Sequence, residues 1–251
     1  MFADYHVHTE FSDDSTYPIE QVVKDAIAMQ INEICFTDHV DYPNYYSKIR
    51  QLQSQYNMQI SIKLGMEFGI QTHTIPQYEI LFQKYPFDFI LLSIHQVEDK
   101  EFWTQDFQNG KSQKEYNEQY YKEMLNIVKI YKNYSVLAHL DLITRYDRNG
   151  IYPFEKVEPI ISEILKIIIK DKKGIEFNTS YYRYGLKDFT PSINILKLYQ
   201  KLGGEIITIG SDSHKPEHLG NHIIDAKNIL KNLGFQSFCT YDKMQPIYHS
   251  L

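Results

Sequence analysis

About seven times along this chain a short run of β-forming residues stops at a histidine or a carboxylate and gives way to a stretch with helical spacing. Parallel strands must be joined by crossovers, and a helix is the usual crossover, so this alternation commits the chain to an α/β architecture with a parallel sheet. Asp4 to Val7 carries His6 and runs out at His8, Ile34-Cys35-Phe36 ends in Thr37-Asp38-His39, and Ile60 to Met66 reaches Glu67. Phe87 to Ile94 ends in His95, Ser135 to Ala138 in His139, and Glu205 to Gly210 in Ser211-Asp212-Ser213-His214. Gly174 to Asn178 breaks into Thr179-Ser180-Tyr181-Tyr182-Arg183. Periodicity does not give the strand order, which leaves a doubly wound sheet and a barrel both open. A barrel brings all strand ends onto one face, where barrel enzymes place their chemistry, and the polar strand ends favour it.

The connecting segments read as helices. Pro18 opens one whose apolar positions Val22, Val23, Ala26 and Ile27 repeat at helical spacing. Others are expected over Tyr45 to Tyr56, Pro76 to Lys84, Pro153 to Lys170, Pro191 to Leu202 and Ile223 to Leu233. Ser112, with Glu115 three residues on, forms a capping box for a helix running to about Asn133. Glu98 to Lys111, polar and aromatic with Trp103 and Phe107, reads as a long loop over one end of the fold, and Ser237 to Thr240 as a short closing strand. No low-complexity linker interrupts the 251 residues, so a single domain over 1–251 is expected.

A net charge of −6 argues against a nucleic-acid-binding surface, which needs clustered Lys and Arg. No membrane partner is expected either, because the most apolar segment, Ile160 to Ile169, is interrupted by charge and far too short to span a bilayer. The chain opens directly into a strand, and Cys35 and Cys239 lie in separate apolar stretches, which points to the cytoplasm. The 21 tyrosines are expected to bury their rings and keep their hydroxyls at the rim.

Six of the ten histidines fall at strand ends, with carboxylates at two more such places. Alternate residues of a strand share a face, so Asp4, His6 and His8 are expected on one wall, with Tyr5 and Val7 on the other. Imidazole with carboxylate and no thiolate suits zinc, manganese or iron, and there are more such ligands than one ion can use. Clustered ions sharing carboxylates form the clamp used in phosphoester hydrolysis. No phosphate loop and no dinucleotide fingerprint occurs, so a nucleotide cofactor is not expected. Ser12 lies among candidate ligands and reads as a turn or supporting hydroxyl, not a nucleophile; His73, His218, His222 and His249 lack the strand-end placement.

His6-x-His8 with Ser12-x-Asp14, Thr37-Asp38-His39, Glu67, His95, His139 and Asp212-x-His214 together resemble the polymerase and histidinol phosphatase (PHP) superfamily over nearly the whole chain. Glu176-Phe177-Asn178-Thr179-Ser180 and Ser211 to Pro216 look like its monofunctional histidinol-phosphatase branch. The resemblance implies a distorted (β/α)7 TIM-like barrel with three divalent metal ions at the C-terminal face of the strands. It would place His6, His8, Glu67 and Asp212 on one ion, Glu67 as a bridge with His95 and His139 on a second, and Asp14, His39 and His214 on a third. Some relatives carry a histidine in place of Asp14. The implied activity is metal-dependent hydrolysis of L-histidinol phosphate in L-histidine biosynthesis, by in-line displacement at phosphorus with Arg183, Asp212 and His214 as catalytic groups. The planar fork of Arg183 suits a phosphate, and Lys215 is a second phosphate candidate. Asp4 and Asp38 lie next to the ligands and are expected to orient imidazoles, a direct ligand role for either staying open.

The competing readings are a PHP phosphoesterase for another small monoester or short nucleotide, a metal-dependent amidohydrolase, and a metal-stabilised interaction module. No lysine stands at a strand end as an amidohydrolase would commonly use, and a degenerate module would have lost ligands that are all present here. Histidinol phosphate carries an ammonium and an imidazole, so a carboxylate and an aromatic wall are expected near the site, from Glu98, Asp99, Trp103 and Phe107 or from Glu115 and Tyr116.

Overall fold

The computed structural model describes residues 1–39 and 42–251. Seven parallel strands carry the fold: β1 (Ala3–Val7), β2 (Glu33–Phe36), β3 (Ser61–Gly69), β4 (Phe89–Ser93), then, after a small hairpin of β5 (Gln96–Val97) and β6 (Lys100–Glu101), β7 (Val136–Leu137), β8 (Gly174–Asn178) and β9 (Ile207–Gly210). Their order in the sheet is β1-β2-β3-β4-β7-β8-β9. The ring closes just past the strand ends, where the His8 amide donates to the Ser213 carbonyl at 2.8 Å and the Ser213 amide to the His6 carbonyl at 3.1 Å. Seven strands in sequential order and closed on themselves make the expected barrel, so all strand C-termini open on one face.

The helices lie outside the strands because each carries one apolar stripe. Helix α1 (Ile19–Ala28) buries Ile19, Val22, Val23 and Ala26, and α5 (Phe154–Lys170) buries Val157, Ile161, Ile164, Leu165 and Ile168, each Val, Ile or Leu side chain contributing roughly 1.5–3 kcal/mol. Between them come α2 (Tyr45–Tyr56), α3 (Ile75–Lys84) and α4 (Gln113–Ile130), and after them α6 (Ile193–Lys201) and α7 (Ile223–Asn232). The capping box at Ser112 is formed, with the Ser112 amide donating to Glu115 Oε2 at 2.7 Å. Among the described residues no helix is long and apolar enough to cross a membrane.

Three expectations need correction. Residues 98–111 are not a plain loop, because they begin in the β5–β6 hairpin. The C-terminal strand has a partner: β10 (Ser237–Asp242) pairs antiparallel with β11 (Gln245–Ser250), and Tyr241 of β10 closes the lower end of the barrel against Phe89 and Tyr5. Finally, β1 does not alternate cleanly. Asp4 pairs with Ile34 but Val7 with Phe36, so three steps on β1 match two on β2. The extra residue slips the two-residue period. Tyr5 therefore meets Phe89 across the interior at 5.0 Å between ring centroids, while Asp4 leaves the His6 face and accepts from Ser211 and Gly220.

Candidate metal centre

Glu67, near the end of β3 and 2% exposed, stands in the middle of the barrel mouth. Its Oε2 lies 3.0 Å from His6 Nε2, 3.3 Å from His8 Nε2 and 3.5 Å from His39 Nε2. Its Oε1 lies 2.9 Å from His139 Nε2 and 3.1 Å from His95 Nε2, and accepts a hydrogen bond from Ser93. Asp212 Oδ1 is 3.6 Å from His6 Nε2 and 3.5 Å from His214 Nδ1, and Asp14 Oδ2 is 3.0 Å from His214 Nε2 and 3.9 Å from His39 Nε2. All nine residues expected as ligands thus meet in one cluster, although β1 and β9 are separated by about 200 residues of sequence.

Further side chains hold these donors in place. Glu176 of β8, fully buried, accepts from His6 Nδ1 at 2.5 Å and from the His139 amide at 2.8 Å. That leaves His6 Nε2 as the free lone pair of the ring. Ser12 Oγ lies 2.9 Å from His8 Nδ1 and donates to Asp38 Oδ1, whose carboxylate also accepts from the Thr9 amide at 2.6 Å. Asp38 therefore supports the His8 ring through Ser12, whereas the Asp4 carboxylate accepts from Ser211, Gly220 and the His6 backbone amide and so holds the β1–β9 seam, not an imidazole. Gly210 is needed where β9 meets the site, since a Cβ there would lie 2.3 Å from His6 Cβ and 2.6 Å from Glu176 Oε1. His139 and Asp212 both have positive φ, +20° and +56°, a backbone state costing roughly 1–3 kcal/mol per non-glycine residue. The Glu176 bond fixes the first. Arg183 fixes the second by donating to the carbonyls of Ser211 and Asp212, each at 2.7 Å.

The electrostatics follow from burying opposite charges together. Burial works against ionisation of Glu67, but the imidazoles of His6, His95 and His39 outweigh it and hold its carboxyl well below the usual range. Asp212 is lowered in the same way, against its burial, by His6, His214, Arg145 and Arg183. For His6, burial is outweighed by Glu176, Glu67 and Asp212, and its pKa rises; His8, buried beside His214 and His39, is lowered. His8 Nε2 is completely buried without a hydrogen-bond partner. A neutral imidazole with an unused lone pair, among ionised carboxylates, has the donor character that a divalent cation completes. Donor atoms of His8, Asp14, His39 and His214 lie within 4.8 Å of one another, as do those of His6, His8 and Asp212, and of His6, Glu67 and His139.

The cluster forms the floor of a cavity of about 590 Å³. Its walls include Arg145, Tyr146, Tyr184, Gln96, Glu101 and Trp103. Arg183 and Lys215 are not on this wall; the Arg183 guanidinium goes to the carbonyls of Ser211 and Asp212. Of the residues weighed for an aromatic and acidic pocket, only Trp103 is there. Asp99 faces Gln71, Phe107 is in the core, Glu115 caps α4, and Tyr116 donates to Asp147. Sequence reasoning missed Arg145. Its guanidinium donates to Ser180 Oγ at 2.7 Å, stacks 3.9 Å from the Tyr184 ring centroid, and keeps a buried Nε without a partner. The signal was present, because Arg145 follows His139 in the same strand-end loop, as Arg183 follows Asn178.

Comparison with known proteins agrees with this geometry. Residues 4–180 match the PHP domain family. The chain is 31% identical to the histidinol-phosphatase of Lactococcus lactis, over 96% of this chain and 95% of that one. It is 34% identical to a probable histidinol-phosphatase of Clostridium acetobutylicum, over 92% of each. The crystal structure of the Lactococcus lactis histidinol phosphate phosphatase, complexed with zinc, L-histidinol and phosphate, is similar with a TM-score of 0.88 at 30% identity, covering 98% of both chains.

Proposed function

The chain belongs to the PHP domain family, and from that premise we propose that it is a metal-dependent histidinol-phosphatase, cleaving L-histidinol phosphate to L-histidinol and phosphate in L-histidine biosynthesis. The observation that carries this reading is the convergence of Glu67 and six imidazoles beneath a cavity whose walls hold an arginine, a carboxylate and an indole. The likeness to a phosphatase crystallised with zinc, L-histidinol and phosphate supports the same substrate.

Three divalent ions, of zinc, iron or manganese, fit the donor set. His6, His8, Glu67 and Asp212 would hold one; Glu67 with His95 and His139 a second; Asp14, His39 and His214 a third. When bound, such ions supply Lewis acidity to the phosphoryl oxygens and a water acidified enough to act as nucleophile. The protein's part is to place the ester. Arg145, on the cavity wall with its guanidinium held by Ser180 and beside Asp212, faces the phosphoryl oxygens and compensates their charge. Arg183 keeps the Asp212 backbone in its strained conformation and adds positive charge beside it. Glu101 pairs with the substrate ammonium, while Trp103 and Tyr146, ring centroids 6.5 Å apart, flank its imidazole. The whole of 1–251 serves as one metallophosphoesterase domain, working in the cytoplasm.

The test is phosphate release from L-histidinol phosphate, p-nitrophenyl phosphate, nucleoside monophosphates and a short DNA by the zinc-loaded protein. A kcat/KM strongly favouring L-histidinol phosphate is expected. A flat profile, or one led by a nucleotide, moves the function to another PHP phosphoesterase.

A further inference from the structure

The β5–β6 hairpin brings two cavity-wall residues, Gln96 and Glu101, face to face as a cross-strand pair, with Trp103 two residues beyond. Each of its strands is two residues long, and a hairpin that small does not hold itself together in water. Its turn is also strained: Glu98 and Asp99 have φ of +54° and +57°, the left-handed pair that such turns normally give to Asn and Gly. Something outside the hairpin must fix it.

Gln71 does so at the turn. It is 1% exposed, donates from Nε2 to Asp99 Oδ1 at 2.8 Å and accepts from the Asp99 amide at Oε1, also at 2.8 Å. His73 Nε2 adds a contact to the same carboxylate oxygen at 3.0 Å. Gln71 is itself anchored, its amide donating to Thr74 Oγ1 at 2.9 Å. At the other end Phe102, fully buried against Phe107 and Tyr120, secures the chain after β6. The hairpin is thus pinned at one end by packing and at its tip by a two-bond amide fork, on the segment that follows the strand carrying Glu67.

We propose that Gln71 is a positioning residue for substrate specificity: by latching the hairpin tip it sets the place of Glu101 and Trp103 over the cavity, and so decides how well an ester bearing a cationic organic group is held. This rests on the histidinol phosphate reading above. Releasing the latch lets the hairpin pivot about Phe102 and leaves the metal-ligand cluster in place. Esters recognised through Glu101 lose binding. Esters without a cation do not.

The variant Q71E replaces the N–H donor with a carboxylate facing that of Asp99. The double variant Q71E/D99N returns a donor from position 99 to the acceptor at position 71. In Q71E, KM for L-histidinol phosphate is expected to rise up to about tenfold, the upper worth of one part-buried hydrogen bond, with kcat/KM for p-nitrophenyl phosphate within about twofold of the starting value. Amide hydrogen exchange over residues 96–101 is expected to speed up, and the double variant to reverse both changes. Equal losses on both esters, a KM change that the double variant does not reverse, or unchanged exchange at the hairpin would overturn the proposal. A parent enzyme with no preference for L-histidinol phosphate would instead overturn the functional reading beneath it, and the exchange measurement would still report on the latch.

Discussion

Replacing Glu176 with glutamine changes one atom, yet it should weaken metal binding far more than it disturbs the fold. The buried carboxylate accepts from His6 Nδ1 at 2.5 Å, from the His139 amide at 2.8 Å and from Asn178 Nδ2 at 3.2 Å. An amide has one acceptor oxygen. The backbone N–H of His139 cannot be reversed, so the oxygen goes to it and the new NH2 faces His6. His6 must then accept at Nδ1 and carry its proton on Nε2, the atom 3.0 Å from Glu67 and aimed at the ion site. Binding an ion requires that tautomer to be undone, at the expense of one charge-assisted hydrogen bond, about 1.5–3 kcal/mol. At 1.4 kcal/mol per decade this is roughly a 10–100-fold loss of affinity, the range usual for such supporting contacts. The assay is chelator competition for zinc alongside phosphate release as a function of free zinc. The half-saturating zinc concentration of E176Q should rise by that factor, with most of kcat recovered at saturation. An unchanged zinc dependence with a lowered kcat would refute the argument, because Glu176 would then act in the reaction and not by holding His6.

Two other outcomes follow from the same geometry. R145A should lower kcat/KM on every phosphoester tested by about 100-fold, the worth of one or two charge-assisted contacts to the phosphoryl group, whereas an effect confined to L-histidinol phosphate would assign Arg145 to the organic group instead. Alkali should unfold the protein cooperatively. Burial pushes the phenols of Tyr45, Tyr120 and Tyr241 well above the ordinary value of 10.0, so the folded chain binds more protons than the unfolded one; stability is intact below pH ~10 and falls as pH rises past it toward the native values. Phenolate absorbance followed with circular dichroism should show these tyrosines ionising only as structure is lost; titration of all 21 near pH 10 in a folded protein would contradict it.

The metal-ligand cluster was legible because its residues sit where strands end, and a closed parallel sheet gathers strand ends whatever the details of packing. What escaped depended on contacts between distant segments. The slip in β1 that turns Tyr5 inward and Asp4 outward has no local sign, since the stretch Asp4 to Val7 alternates as well in either register; packing against Phe89 and Ser211 decides it. The β10–β11 hairpin turns through Lys243 and Met244, both at positive φ, without the Asn or Gly that usually announces such a turn, and its second strand is a mostly exposed edge containing Pro246. The tip of the β5–β6 hairpin likewise lacks those residues and is held from Gln71, 28 residues away. Arg145 lies in a 3-10 helix, Leu142–Tyr146, after a strand of only two residues, so its loop could be located but its side chain's placement on the cavity wall could not.

The most direct test of the account is to strip the protein with a chelator, add zinc back in measured equivalents, and follow phosphate release from L-histidinol phosphate. The expected result is no turnover by the stripped protein and activity that climbs until about three equivalents are bound, matching the three donor groups around Glu67, Asp212 and Asp14. Full activity in the stripped protein, or saturating zinc that restores none, would contradict it.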